Sequence, residues 1–295
     1  MTQEQARPGG RGPWFQGWYF KHQGEEGGLA LIPAYHRRRR GEWEASLQVI
    51  TPEESRMIHY PGVALRWWDE PFQIRLGDSW FSRDGVHLDV REPGFSLTGE
   101  LRYGPLSPPG EDIMGPFRRA PHMQCVHSIL SMGHQVEGEF TLNGKTTLFF
   151  NGRGYLEGDR GRSFPRRYLW AQCGWQERQR VSLMLAIARV PVGVGSFTGC
   201  ICQIIFAGRP IRLATYQGAR VEEWSPAGAR VRQGRWRLAV DVLAQEGRPL
   251  RAPEAGGMSR TIHESLYAAL RLRLWEGESL LFDYTGGEGS FEYAK

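Results

Sequence analysis

The sequence predicts an all-β protein whose antiparallel strands curl into two β-barrel domains in tandem. Three observations lead there. Apolar residues recur with period two in many short runs, 38 glycines and 18 prolines punctuate those runs, and helical periodicity is nearly absent. A chain of 295 residues has the length of two ordinary domains, and a dozen or more short strands are best accommodated in closed or nearly closed barrels, which leave no exposed edges. A small barrel has room for one small ligand. The expected division is 1–145 and 146–295, with residues 1–21 crossing to touch the second half.

The first element is the aromatic segment WFQGWYFK at Trp14–Lys21, an opening strand whose rings plug one end of a barrel. Leu29–His36 and Glu42–Ile50 follow as a hairpin, with the basic run Arg37–Arg40 at its solvated tip. Phe95–Tyr103 alternates as a strand, and the Pro/Gly-rich stretch Gly104–Pro121 reads as a long loop. Pro121–Met132 fits two patterns: Met123, Val126, His127 and Leu130 suit a helix, whereas Cys125, His127, Ile129 and Ser131 alternate as in a strand. Asn143-Gly144-Lys145 is a tight turn between Val136–Leu142 and Thr146–Phe150. In the second half come Tyr168–Trp175, Val181–Val190, Cys200–Ala207 and Ile211–Gln217, the last two joined at Ala207-Gly208-Arg209. Arg235–Leu243, Leu266–Trp275 and Ser279–Tyr284 complete the set. In the middle one Leu266, Ala268, Leu270, Leu272 and Leu274 share a face opposite Arg271 and Arg273, the pattern of a strand with one dry side.

Composition narrows the function. The net charge is +5, and all but three of the 37 basic residues are arginine. No second basic cluster extends Arg37–Arg40, so nucleic acid is not an expected partner. No apolar run approaches the ~18 residues of a membrane-spanning helix, and the N-terminus lacks the apolar run of a signal peptide. The expectation is a cytoplasmic protein, with peripheral membrane contact as a route to a hydrophobic substrate. Cys125, Cys173, Cys200 and Cys202 are too few and too scattered for a disulfide framework. His122, His127 and His134 form no metal-ligand spacing with the acids, and no phosphate-binding loop or nucleophile elbow is present. No metal, nucleotide or other cofactor is expected.

The stretch Gly152–Cys173, GRGYLEGDRGRSFPRRYLWAQC, carries the chemistry. If extended, it puts Tyr155, Glu157 and Asp159 on one face. Were that face a barrel interior, desolvation and mutual repulsion would raise at least one carboxyl toward neutrality, leaving an acid able to protonate a weak base. The plainer reading, which the residues alone favour, is a turn whose acids pair with Arg160, Arg162, Arg166 or Arg167.

Four blocks in order resemble the tocopherol cyclases and their bacterial relatives. They are FQGWYFK at Phe15–Lys21, G-x-G-Y-x-E-x-D at the head of Gly152–Pro165, YLWAQC at Tyr168–Cys173, and PLRAPEAGGM at Pro249–Met258 followed by ESLYAALRLRLW. That family is similar in turn to carotenoid 1,2-hydratases and other tandem lipocalin-like proteins, and their opening E-W-W-Y motif resembles Gly17-Trp18-Tyr19 here. The resemblance implies two lipocalin-like β-barrel domains and a cofactor-free, acid-catalysed addition across an isoprenoid double bond in a prenylated quinol or terpenoid. It implies Glu157 as proton donor, with Asp159 raising its pKa or orienting it, and Tyr155, His127 and Trp170 placing the alkene and the cation. Trp18, Tyr19, Phe164, Tyr168 and Gln172 join Trp170 as substrate-binding residues on the same basis. The family's usual E-K-x-W-G departs here to Gly158 and Arg160, which removes a large ring expected beside the acid. A lipocalin-like carrier of hydrophobic isoprenoids, without turnover, is the alternative from another class; an acid facing the apolar volume separates the two.

Overall fold

A computed structural model describes residues 4–5, 12–120, 123–176, 180–192 and 195–295. Among them the chain is almost entirely strand, with three short 3-10 turns and no α-helix. Among the described residues no helix is long and apolar enough to cross a membrane.

The first sheet holds β1 (Trp14–Gln23), β2 (Gly28–Arg37), β3 (Glu44–Ile50), β4 (Ser55–Pro61), β5 (Leu65–Asp69), β6 (Phe72–Leu76), β7 (Ser79–Ser82), β8 (Gly85–Glu92), β9 (Phe95–Tyr103), β10 (Cys125–Leu142) and β11 (Lys145–Gly161). Their order is β4-β3-β2-β1-β11-β10-β9-β8-β7-β6-β5, all antiparallel. The second holds β12 (Tyr168–Gln176), β13 (Arg180–Val192), β14 (Gly195–Phe206), β15 (Arg209–Ala214), β16 (Arg220–Ser225), β17 (Gly228–Gln233), β18 (Trp236–Ala244), β19 (Arg248–Glu254), β20 (Gly257–Glu276) and β21 (Ser279–Ala294). It runs β15-β14-β13-β12-β21-β20-β18-β17-β16, with β19 paired to β20.

Both sheets curl without strict closure: among the described residues no ladder joins β4 to β5 or β15 to β16. In the first, β5 returns close enough for Trp67 to stack on Tyr35 of β2 with ring centroids 4.6 Å apart. In the second, Gln233 of β17 takes a hydrogen bond from the Ala214 amide (2.9 Å) and donates one to the Arg212 carbonyl (3.1 Å), tying β17 to β15. Each curled sheet has its own apolar core. A third core lies between them, contributed by both halves.

The ambiguous segment resolves as strand from Cys125 onward, because β10 finds a long, bulged antiparallel ladder along β11 and the backbone hydrogen bonds outweigh the helical spacing of the side chains. The sheets divide at 162–167, whereas the expected boundary at 145/146 falls at the first residues of β11. The tight turn Asn143–Lys145 links β10 and β11 within one sheet, and β11 then runs on to pair with β1. Strands β5 to β8 were not among the expected runs; their short apolar stretches are broken by turns at Asp69–Phe72 and Leu76–Ser79.

The halves share a plan. The first strand of each pairs with its last, β1 with β11 and β12 with β21, and the penultimate strand flanks that last one. In the first half Tyr19 faces Glu157, which faces Ile129. In the second, Trp170 faces Glu292, which faces Glu264.

Candidate functional site

Strand alternation decides which side chains reach the seam between the sheets. On β1, Trp18 and Phe20 turn into the first core while Tyr19 joins the core between the sheets. On β11, Leu156 turns inward while Tyr155, Glu157 and Asp159 turn toward the second sheet. A cavity of about 200 Å³ lies in the seam, lined mostly by apolar atoms and by His127, Glu157, Asp159, Tyr19, Tyr168 and Trp170. The two acids therefore share one face, as extension of the chain requires. That face is the outside of a curled sheet roofed by its neighbour, not a barrel interior.

Glu157 is 6% exposed. Its Oε2 accepts hydrogen bonds from Tyr155 Oη (2.5 Å) and Trp170 Nε1 (3.3 Å). His127 Nε2 stands 3.2 Å from the same oxygen, off the hydrogen-bonding line. The other imidazole nitrogen, Nδ1, lies 2.8 Å from Asp159 Oδ1, which also accepts from Cys125 Sγ at 3.2 Å. Every described contact of the Glu157 carboxyl is to Oε2, and the residue lines the cavity. Burial opposes a charge on His127, but the two carboxylates together outweigh it and hold the imidazole well above its ordinary pKa. Asp159, expected to raise the pKa of Glu157 or to orient it, meets the same imidazole that contacts Glu157. The ladder puts His127 opposite Asp159, so a cation stands between the two acids.

The same pairing brings the ligand atoms of His127, Glu157 and Asp159 within 4.8 Å of one another, a group with the donor set for a metal ion. Spacing along the sequence could not show it, because β10 and β11 create it.

Of the expected substrate-binding residues, Tyr19, Phe164, Tyr168 and Trp170 line the cavity. Tyr19 sits edge-on to Trp170 with centroids 5.6 Å apart. Trp18 does not reach it: even-numbered positions of β1 face the first core, where Trp18 meets Tyr35, Trp67 and Phe72. Gln172 lies outside as well. It accepts a hydrogen bond from Lys21 Nζ (2.8 Å) in a separate recess of about 310 Å³, whose wall includes Tyr155. Gly158 and Arg160 stand on the other face of β11 from Glu157. A Cβ at Gly158 would meet Trp18 at 3.2 Å, so a ring at 160 would not have stood beside the acid. His122 falls outside the described residues.

Two acids were missed. Glu264 and Glu292 are 3% and 6% exposed and both line the cavity from the second sheet. Tyr19 Oη bonds Glu264 and Tyr168 Oη bonds Glu292. Burial pushes Glu264 up to about 7, with Glu157 adding to the rise while the Tyr19 hydrogen bond and the Lys21 charge pull it back. Burial, followed by the charges of Asp159 and Glu157, holds Glu292 well above the usual carboxylate range. The sequence signal for Glu264 was a lone acid at the head of the apolar ESLYAAL run. Glu292 was hidden because the glycines of TGGEGS ended the expected strand at Tyr284, whereas β21 continues to Ala294.

Residues 118–293 match the sequence family described as tocopherol cyclase-like. Among solved structures, an AttH-like protein from Nitrosomonas europaea superimposes with a TM-score of 0.55 at 13% identity, over 96% of this chain and 92% of the other. CghA does so at 0.56 and 12%, over 96% and 88%. CghA with Sch210972 gives 0.55 and 10% over the same shares. Identities this low carry the tandem fold alone. No curated protein matches the sequence.

Proposed function

The chain belongs to the tocopherol cyclase-like family, and from that premise we propose that it adds an oxygen nucleophile across an isoprenoid double bond by acid–base catalysis. The substrate would be a prenylated quinol that closes to a ring, or a terpenoid that takes up water. One observation carries the reading: an apolar, aromatic-walled cavity between the sheets encloses the buried carboxyl of Glu157, held by Tyr155, Trp170 and His127. A carrier needs the volume but not a carboxyl fixed by two donors and a neighbouring imidazole at its wall.

The reaction moves two protons. One goes to the less substituted alkene carbon, leaving a tertiary cation; the oxygen captures that cation and releases the other. Glu157 exchanges one of these protons with the substrate. His127 and Tyr155 fix its rotamer, and Asp159 fixes His127. The faces of Tyr19 and Trp170 stabilise the cation, and the roof of the second sheet keeps bulk water from quenching it.

The test is a panel of prenylated quinols and terpenoid alkenes, followed by mass spectrometry for an isomer of unchanged mass or a product heavier by one water. Glu157→Gln keeps the shape and removes the group that exchanges the proton, so kcat falls by about 10²–10⁴-fold with little change in binding. Binding without product by the wild-type protein would support the carrier instead. Wild-type turnover by Glu157→Gln would remove Glu157 from the mechanism.

A further inference from the structure

Resting on that reading, we propose that Glu264 supplies the proton added to the double bond, and that Glu157 on the facing wall receives the proton released by the attacking oxygen. The two transfers occur at opposite ends of the forming C–H and C–O bonds, so carboxyls on opposite walls suit them better than one carboxyl serving both ends. The cavity provides this. Glu157 belongs to β11 of the first sheet and Glu264 to β20 of the second, and both line the same apolar space.

Their surroundings differ. At Glu157 two described donors, Tyr155 and Trp170, present hydrogen to Oε2, and the His127 cation stands 3.2 Å from the same oxygen. At Glu264 the described partner is one phenol, Tyr19, and among the described residues it forms no salt bridge. Tyr19 stands opposite Glu157 in the β1–β11 ladder and bonds Glu264 across the seam, so one ring spaces the two carboxyls. Tyr19 and Lys21 of β1 and Glu157 of β11 act on Glu264 from the first sheet. Glu292 of β21 and Arg248 of β19 are its ladder neighbours, and Arg248 is paired with Glu246. A carboxyl raised to about 7 in this setting both holds a proton near neutrality and can give it up.

The bonds balance. The Glu264 O–H breaks as the C–H bond forms. A lone pair of the nucleophile then makes the C–O bond to the tertiary carbon, and the nucleophile's O–H breaks with its proton passing to Glu157. Glu264 ends ionised and Glu157 protonated, with no net proton gained or lost by enzyme and substrate together. Solvent exchange resets the pair.

Two measurements test this. The first is the pH–rate profile of wild type, Glu264→Gln and Glu157→Gln. Wild type should lose activity as pH rises through about 7. Glu264→Gln should lose about 10²–10⁴-fold in kcat, and its residual rate should lack that basic limb. The second needs no substrate: infrared difference spectra between pH 6 and pH 8 should show a carboxylic-acid carbonyl band in wild type that Glu264→Gln abolishes. Turnover lost in Glu157→Gln but retained, with its basic limb, in Glu264→Gln overturns this inference and leaves the proposed function standing. A wild-type protein that binds but never converts an alkene overturns both. A titrating carboxyl band unchanged by Glu264→Gln overturns the inference on its own.

Discussion

Asp159→Asn separates two opposite accounts of the acid cluster. If Asp159 and Glu157 simply repelled each other, the substitution would relieve strain and stabilise the fold. The structure places His127 Nδ1 2.8 Å from Asp159 Oδ1 and Nε2 3.2 Å from Glu157 Oε2, so the two carboxylates clamp a cation. Removing one should destabilise it. At 2.8 Å and an effective dielectric of about 20 the bare Coulomb attraction is about 6 kcal/mol. Desolvation of the imidazolium cancels much of that, and a hydrogen bond to a charged group is worth about 1.5–3 kcal/mol net. The expected cost is therefore about 1.5–3 kcal/mol, read as a lower midpoint in urea denaturation with an unchanged slope. The sign with pH is fixed as well. His127 has a folded pKa raised above its unfolded value of about 6.5, so its contribution is fully present below that pH and disappears as pH rises through the folded pKa. The stability gap between wild type and Asp159→Asn should be widest below about pH 6.5 and narrow above the folded pKa. A variant more stable than wild type, or a His127 NMR titration that does not move to lower pH, would refute the clamp.

Two further outcomes check the assignment of faces. Trp18→Ala should cost about 3–5 kcal/mol by opening a void in the first core, while KM for any substrate stays near wild type, as seen in denaturation and steady-state kinetics. Burial lowers the Lys21 ammonium to about 8, below its unfolded value of about 10.4, so this group adds stability as pH rises between those values. Lys21→Met should be the more stable protein at pH 7, and urea denaturation should show its advantage shrinking across that window; an advantage that grows would contradict the burial account.

Much of this architecture could be read from the residues before folding. Alternation in Leu266–Trp275 and the turn at Asn143–Lys145 gave strands and hairpins directly, because a period-two pattern is local. The shared face of Tyr155, Glu157 and Asp159 was legible for the same reason. What lay beyond reach depends on pairing across distance. That β11 belongs with β1 moved the break between sheets to 162–167, and that its outer face is roofed by β12, β20 and β21 moved the site out of the barrels. His127 reaches the acids through the β10–β11 register, and Glu264 through the packing of one sheet on the other. Neither relation leaves a spacing in the sequence.

The core between the sheets has a thermodynamic consequence. Tyr19, Ile129, Met132 and Tyr155 from one half pack with Trp170, Met184, Ile262 and Leu266 from the other, so the chain is in effect a heterodimer of two curled sheets on one polypeptide, with the cavity in the contact. Docking of the halves and filling of the cavity are then linked equilibria. A ligand that occupies the cavity bridges both bodies and stabilises their closed arrangement, by about 2.7 kcal/mol at a free concentration a hundred times Kd. By the same linkage, any motion that admits a bulky ligand draws on the cohesion between the halves, and leaves the two inner cores intact.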